Sequence, residues 1–313
     1  MRGTGLLRSK KGILMHELRQ SNRTHIFAQD IYHGYGDKLV LDNVDFCVRR
    51  GDFVSFVGPS GCGKSTFLRL ALGQEIPNRG ILEIDRRPAG FADTRRGIVY
   101  QKYSLFPHLT VFGNVMLGLD LRHPLGRRIF GRKELKAEVY QMLEQMRLTD
   151  AINKYPGQLS GGMQQRVAIA QALILKPEVL LMDEPFGALD PGTREQMQVL
   201  LLELWEKHKL TILFVTHDLV EAVFLGTRIA VLSQYYDDDR DPTCQRGSRI
   251  VYDRHLDSRA MSTKVKESPQ FTGIVEEAKE VGFNPKHRLH IAKFNLTHPD
   301  SFRTLRPEEL KKK

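Results

Sequence analysis

One short stretch of this chain combines glycines, a lysine and two hydroxyl side chains in a spacing that suits phosphate binding. It fits G-x-x-x-x-G-K-[ST], the Walker A loop. The glycines allow tight turns, so successive backbone N–H groups can point at phosphate oxygens. Lys64 is expected to reach the β- and γ-phosphates of a nucleotide, and the Ser65 hydroxyl to bind Mg²⁺. The nine residues are Gly58, Pro59, Ser60, Gly61, Cys62, Gly63, Lys64, Ser65 and Thr66.

The sequence around this loop has the context that the motif needs. Residues 53–57 form a short apolar run rich in β-formers, and residues 64–72 have helical spacing. A helix that begins at the loop adds partial positive charge at the same point. The alternative is a plain glycine-rich turn, but strand, loop and helix together favour a phosphate site.

A pair of acidic residues follows a second predicted strand. Residues 179–182 are a continuous apolar run, typical of a central parallel strand, and Asp183 and Glu184 come directly after it. In a phosphate-loop protein, Asp183 is expected to hold Mg²⁺ through water, and Glu184 to polarise the attacking water as general base. The alternative is a solvated strand end without chemistry.

Other candidate residues also follow predicted strands. Gln101 comes after residues 97–100, and His217 after residues 211–215. Because ligands of parallel α/β sheets bind outside the carboxyl ends of the strands, we expect Gln101 and His217 on the rim that carries the loop. A lone histidine can equally be structural. Tyr35 lies on a predicted turn, where an aromatic ring could stack on adenine or simply be exposed.

The composition is that of an ordinary globular protein. The 313 residues are 41% apolar and 27% charged, with a net charge of +10 and three cysteines without metal-ligand spacing. No apolar run approaches the ~20 residues that cross a bilayer, and no secretory signal is evident. We therefore expect a reducing cytosolic environment. The favoured interpretation of the basic charge is a solvated surface, and the alternative is an anionic partner.

The pattern divides the chain into three parts. Residues 1–24 are a polar, basic extension, and residues 25–233 are an α/β domain interrupted by a mainly helical block at about 105–175. Beyond an acidic linker, residues 234–313 are charged and weakly patterned. They are expected to form a partly helical, largely solvated extension, for which regulation is one possible role.

Over about residues 25–233 the chain resembles the ATP-binding cassette (ABC) ATPases. Residues 159–165 read LSGGMQQ and look like the family signature, with the helix N-cap at Ser160. The remaining matches are the Q-loop glutamine Gln101, the D-loop aspartate Asp190, the switch histidine His217 and the adenine-stacking Tyr35. The departures are minor: Gly187 replaces a common serine, and Gln171 replaces a common arginine.

The resemblance implies a fold and a site. The fold class is an α/β P-loop NTPase fold of the ABC ATPase type. It has a mainly parallel core sheet, an antiparallel β subdomain and a helical subdomain that carries the signature. The cofactors are ATP and Mg²⁺, with Gln101 joining Ser65 and Asp183 at the metal. Two subunits would pair head to tail, so that Ser160, Gly161, Gly162 and Asp190 of one subunit face the ATP of the other.

Within the family, the sequence after Gln101 resembles importers, and most closely the nitrate, sulfonate and taurine type. This implies a peripheral ATPase on the cytoplasmic face of the cell membrane. Its partners would be a second copy or a paralogous ATPase, an integral membrane permease, and a periplasmic or surface solute-binding protein. The alternatives are an exporter ATPase and a soluble cassette acting on nucleic acid. We expect no nucleic-acid partner, because the chain has one cassette and no coiled-coil insertion.

Overall fold

The computed structural model shows two compact units. The first combines residues 1–92 with 214–313, and the second is residues 93–213. The structure describes residues 15–91, 93–102, 104–123, 131–241, 243–256 and 263–304.

An antiparallel sheet occupies the N-terminal part of the first unit. Its strands are β1 (Thr24–Tyr35), β2 (Lys38–Arg49), β4 (Arg79–Ile84) and β5 (Arg87–Pro88), in the order β2-β1-β4-β5. Strand β1 is longer than its pattern indicates, because Tyr35 pairs with Lys38 and leaves a two-residue turn. Gly36, with φ 55°, provides the left-handed conformation that this turn requires.

The Walker loop of this unit follows a fully buried parallel strand. Strand β3 (Phe53–Val57) pairs in parallel with β9 (Arg228–Ser233), and all residues of both strands are buried. Their neighbours continue in the order β13-β11-β9-β3, with β11 at Arg249–His255 and β13 at Asn295–Leu296. Two further short strands, β10 (Tyr236–Asp237) and β12 (Leu289–His290), form a separate parallel pair.

Among the described residues, the first unit contains a short helical segment at residues 15–20 and three longer α-helices. Helix α1 (Lys64–Leu72) follows β3, α6 (Leu219–Leu225) precedes β9, and α7 (Pro269–Phe283) lies in the C-terminal part. Helix α7 packs against β9 and β11, and its buried side chains include Phe271 and Ile274.

The prediction of a largely solvated C-terminal extension is wrong for its described residues. Strand β11 pairs antiparallel with β9, directly beside the strand that leads into the Walker loop. Asp253 of β11 forms a buried ion pair with Arg228, with Nε–Oδ1 at 2.7 Å. Phe302 stacks on Phe27 with ring centroids 5.6 Å apart. Contacts between residues so distant in sequence leave no local pattern, and Asp253, one of the charged residues that suggested solvation, is paired inside.

The N-terminal extension is partly ordered. Residues 1–14 lie outside the described residues, whereas residues 15–20 are helical. Leu18 is buried with Phe27, Cys47 and Phe302 in one apolar cluster. The end of the basic extension is thus packed between the antiparallel sheet and the C-terminal segment.

The second unit combines a parallel strand pair with helices. Strands β6 (Arg96–Val99) and β7 (Val179–Asp183) pair in parallel, from Arg96 opposite Val179 to Val99 opposite Met182. The predicted helical block contains α2 (Val111–Arg122), α3 (Arg132–Gln145) and α4 (Gly161–Leu173), which pack on one another. Helix α5 (Pro191–His208) follows β7, and strand β8 (Thr211–Thr216) contains the boundary between the units. Residues 124–130, within the predicted helical block, lie outside the described residues.

Among the described residues, no helix combines the length and the apolar character needed to cross a membrane.

A buried histidine makes the stability of the first unit depend on pH. His298 accepts a hydrogen bond at Nδ1 from the Asp300 backbone N–H. Burial, aided by the charge of Arg228, lowers the pKa of His298 from 6.5 to about 4. The unfolded chain therefore takes up a proton as the pH falls below 6.5, and the folded chain does so only near pH 4. The contribution of His298 to the free energy of unfolding is therefore fully present above pH 6.5, and it is lost as the pH falls from 6.5 to 4.

We predict that His298→Asn, which keeps an acceptor, flattens the fall in unfolding free energy between pH 6.5 and 4. The histidine contributes up to ~3 kcal/mol of that fall, from 1.36 kcal/mol per pKa unit. Urea denaturation at several pH values measures it, with exposed His16→Asn as the histidine control. Equal pH slopes for wild type and His298→Asn would contradict the prediction.

Candidate functional site

The Walker loop has backbone geometry that only glycine satisfies at several positions. Gly61 and Gly63 have φ values of 78° and 98°, and Gly63 is the N-cap of α1. A Cβ atom at Gly58 would lie 2.2 Å from the Leu232 carbonyl oxygen of β9, which excludes any side chain. The loop is therefore held close against the parallel strands, with the N-terminus of α1 at its end.

The lysine of the motif lies inside this loop. Lys64 is 5% exposed, and its ammonium donates to the carbonyl oxygens of Gly58 at 2.8 Å and Pro59 at 3.1 Å. An ammonium has three donors, so these bonds fix its position while one donor direction is left for a ligand oxygen. Cys62 packs beneath the loop, and burial raises the pKa of its thiol. Ser60 and Gly61 are exposed at its tip.

The hydroxyl residues of the motif begin helix α1. Ser65 is half-buried in the first turn, and Thr66 is buried. The Thr66 Oγ1 accepts a hydrogen bond from Arg69 Nη2 at 3.2 Å. Ser65 is thus the more accessible of the two hydroxyls, as expected for the one that was assigned to Mg²⁺.

Tyr35 ends strand β1 with 45% of its surface exposed. Its hydroxyl is bonded to Glu75 and Arg69, two residues that belong to none of the sequence motifs. His217 belongs to the same unit. It follows β8, is exposed, and precedes Asp218, the N-cap of α6.

In the second unit, the ends of two parallel strands place acidic and amide side chains at one edge. Val99 pairs with Met182, so Gln101 and Asp183 both follow at the carboxyl ends of β6 and β7. The Gln101 amide nitrogen lies 3.4 Å from where a Cβ atom of Gly187 would be. The structure therefore brings Gln101 together with the turn after β7, as the strand pattern predicts.

Glu184 occupies an unusual backbone conformation at this edge. Its φ is 45°, a left-handed value that costs of the order of 1–3 kcal/mol for a residue other than glycine. The turn is fixed because the Gly187 N–H donates to the Glu184 carbonyl at 3.2 Å. Asp183 and Glu184 are both half-buried.

The signature sequence forms the N-terminus of helix α4. Ser160 is its N-cap and accepts a hydrogen bond from the Met163 N–H at 3.3 Å, with Gly161 and Gly162 in the first turn. A Cβ atom at Gly162 would lie 2.4 Å from Thr193 Cγ2, so glycine is required there by packing. Gly162 is buried by this packing, whereas Gly161 is exposed at the helix N-terminus, a position that anions favour.

The D-loop aspartate is the N-cap of helix α5. Asp190 accepts a hydrogen bond from the Thr193 N–H at 3.0 Å, and hydrogen bonds from the Thr193 backbone and side chain lower the pKa of this exposed carboxyl. Thr193 thus contacts both the signature turn at Gly162 and the D-loop at Asp190. The sequence reasoning missed this residue, because a threonine in a first helical turn carries no signal of its own.

The predicted site residues divide between the two units. Walker A, Tyr35 and His217 lie in the first unit. Gln101, Asp183, Glu184, the signature turn and Asp190 lie in the second. Within each unit the motifs occupy strand ends and helix N-termini, the positions that phosphates and cations favour.

Comparison with known proteins gives the family. The ABC transporter family profile matches residues 41–187. The aliphatic sulfonates import ATP-binding protein SsuB of Bacillus subtilis (strain 168) is 44% identical over 193 residues, which cover 62% of this chain and 72% of that protein. The chain belongs to the ABC transporter ATPases. It is therefore an ATP-binding enzyme that hydrolyses ATP, and the predicted fold class is confirmed.

Two further comparisons agree. SsuB 1 of Burkholderia lata, another aliphatic sulfonates import ATP-binding protein, is 48% identical over 200 residues, covering 64% of this chain and 58% of that protein. A solved ATP-binding cassette dimer, in a post-hydrolysis state with ADP and Pi bound, is 31% identical with a TM-score of 0.61. That comparison covers 74% of this chain and 99% of the solved chain.

The contact between Gly162 and Thr193 gives a test of the signature geometry. We predict that Gly162→Ala destabilises the chain by about 1–3 kcal/mol, the usual cost of overpacking. Thr193→Ser removes the Cγ2 methyl and should restore most of the loss, so the double-mutant cycle gives a favourable coupling. Urea denaturation of the wild type, the two single variants and the double variant measures this coupling. Additive effects of the two substitutions would contradict the contact.

Proposed function

We propose that this chain is the ATP-hydrolysing subunit of an importer for a small sulfonate-like solute, which enters through a separate membrane permease. The observation that carries the proposal is the similarity to two aliphatic sulfonate import ATP-binding proteins, over 193 and 200 residues. Neither an exporter nor a nucleic-acid enzyme is among these relatives. Residues 25–233 would be the nucleotide-binding domain, with a helical subdomain at about 105–175.

The triphosphate of ATP would bind at residues 58–66. The left-handed glycines, the buried Lys64 ammonium and the N-terminus of α1 support this, because all of them direct positive charge or N–H groups at one place. Tyr35 would stack on the adenine, and its exposed ring supports that role.

Mg²⁺ fits the donors that the chain offers, which are oxygens as this hard cation requires. Ser65, Gln101 and Asp183 would hold it, and the half-buried Asp183 at the end of β7 supports the assignment. When bound, the metal would neutralise charge that develops on the phosphates.

Hydrolysis would depend on Glu184 and His217. Glu184 would accept a proton from the attacking water, which forms its bond to the γ-phosphorus as the bond to the leaving ADP oxygen breaks. His217 would contact the γ-phosphate and orient it. The left-handed backbone of Glu184 supports a functional role, since strained conformations concentrate at such sites.

The signature turn would serve the ATP of a second subunit, which would be another copy of this chain or a paralogous ABC ATPase. A capped helix N-terminus with two glycines is a site for a phosphate, and the chain already has a separate phosphate loop. The solved relative is a dimer, which supports this arrangement. Ser160, Gly161, Gly162 and Asp190 would then face the nucleotide of the partner, and ATP binding would favour the closed dimer.

The remaining partners follow from the importer proposal. The subunit would bind peripherally to the permease at the cytoplasmic face of the cell membrane. A solute-binding protein would deliver the substrate from the other side.

We predict that Glu184→Gln keeps its affinity for MgATP but hydrolyses it at least ~100-fold more slowly, the low end of general-base contributions. The substitution removes the proton acceptor and preserves shape. Glu138→Gln, which neutralises a surface carboxylate paired with Lys176, is the matched control. Phosphate release and nucleotide binding are measured on the purified chains. Wild-type turnover in Glu184→Gln would exclude this residue as the base.

The importer proposal is tested by affinity purification of the tagged chain from solubilised membranes, followed by mass spectrometry. We expect a multi-span permease, and we expect cells carrying Glu184→Gln to lose uptake of labelled alkanesulfonate. Recovery of ribosomal or DNA-associated proteins without a permease would contradict the proposal. Normal uptake in the variant would reject the sulfonate class.

A further inference from the structure

Tyr35 is part of a closed hydrogen-bond network with two charged residues. Its Oη donates to Glu75 Oε2 at 2.6 Å and accepts from Arg69 Nη2 at 2.6 Å. Arg69 Nε also donates to Glu75 Oε1 at 2.7 Å. Because each member is bonded to the other two, the Arg69–Glu75 pair fixes the position of the tyrosine hydroxyl, and with it the ring.

The same network reaches the Walker motif. Arg69 lies in the last turn of α1, and Glu75 follows the helix C-cap Gly73. Arg69 Nη2 donates to Thr66 Oγ1 at 3.2 Å as well as to Tyr35. One guanidinium therefore connects the tyrosine to the helix that begins at the phosphate loop.

The surroundings of the Tyr35 ring leave room for a base. The Arg69 guanidinium lies over the ring, 5.9 Å from its centroid, and the His33 ring is nearly perpendicular with centroids 5.1 Å apart. These contacts hold the ring on two sides, yet 45% of the residue is exposed. A purine stacked on the exposed part would contact a ring that already interacts with the Arg69 guanidinium.

The charges of the network are complementary at neutral pH. Partial burial would raise the pKa of Glu75, but hydrogen bonds from Tyr35 and Arg69 and the Arg69 charge outweigh it. The pKa of Glu75 therefore lies below its usual value. His33 Nε2 lies 3.1 Å from the same carboxylate and adds positive charge when protonated.

We propose that Arg69 and Glu75 are positioning residues that hold Tyr35 for the nucleobase and so contribute to recognition of ATP by its base. The inference rests on the proposed stacking role of Tyr35. Holding the ring before the ligand arrives removes an ordering cost from binding. The contribution therefore belongs to ligands with a base, and not to a phosphate chain alone.

The test compares MgATP with magnesium tripolyphosphate, which lacks base and sugar. Tyr35→Ala removes the ring, whereas Tyr35→Phe, Arg69→Lys and Glu75→Gln keep it and disturb only the network. Arg79→Lys is the matched control, because Arg79 lies 5.0 Å over the Tyr32 ring and pairs with Asp30 at 2.9 Å, away from Tyr35. Calorimetry on the purified full chain gives both affinities.

We expect Tyr35→Ala to weaken ATP binding about 10-fold, as loss of one stacked base does. The three network variants should each weaken it by about 3- to 10-fold, the value of a hydrogen bond. In all of these variants, the affinity for tripolyphosphate should stay within about twofold of the wild-type value. In Arg79→Lys, the affinities for ATP and for tripolyphosphate should both stay within that range. In steady-state hydrolysis, the loss should appear in KM for ATP rather than in kcat.

The outcomes separate this inference from the stacking proposal. If Tyr35→Ala binds ATP as wild type does, the stacking role itself fails. If Tyr35→Ala weakens ATP but the network variants match Arg79→Lys, stacking stands and the positioning role is overturned. Equal weakening of ATP and tripolyphosphate would also overturn it, because the network would then support the phosphate loop and not the ring.

Discussion

The structure depends on one constraint, which is that a phosphate loop must present several backbone N–H groups to one anion. Strand β3 can deliver the chain to this point because it is buried beside β9, and Gly58 passes too close to the Leu232 carbonyl for any side chain. Gly63 then reverses the chain at φ 98° and caps α1. Glycine is required here by geometry, which is why so short a motif is so informative.

The same physical solution recurs in the second unit with different residues. The signature turn at Ser160 and Gly162 is also a capped helix N-terminus without side chains, and Thr193 holds it against the D-loop. In the proposed function, the Walker loop and the signature turn would contact nucleotides of two paired subunits. ATP would then be part of the interface, and hydrolysis would remove the γ-phosphate that holds it.

Sequence reasoning was most successful where chemistry requires residue types at fixed spacing. The strand–loop–helix around Lys64, the caps at Ser160 and Asp190, and the strand before Asp183 are local, so spacing and periodicity predict them. The left-handed backbone of Glu184 could not be predicted, because no propensity favours it there. It is imposed by the turn that follows.

The sequence failed where contacts join distant segments. The pairs Arg228–Asp253 and Phe27–Phe302 join the α/β domain to the C-terminal residues across long stretches of chain, and the weak pattern of residues 234–313 suggests solvent exposure. For the same reason the network around Tyr35 was not foreseen: Arg69 and Glu75 belong to a helix end and a loop, and only the fold brings them to strand β1. The functional motifs were thus predictable, whereas the residues that position them were not.

The proposed site depends on binding of the triphosphate at residues 58–66, and calorimetric titration of MgATP into wild type and Lys64→Ala tests this binding most directly. Loss of the charge-assisted bonds of the buried ammonium should weaken binding by about 10- to 100-fold. Lys133→Ala, on the exposed surface of α3, should bind as wild type does. Unchanged affinity in Lys64→Ala would contradict the assignment of the phosphate loop, and with it the proposed site.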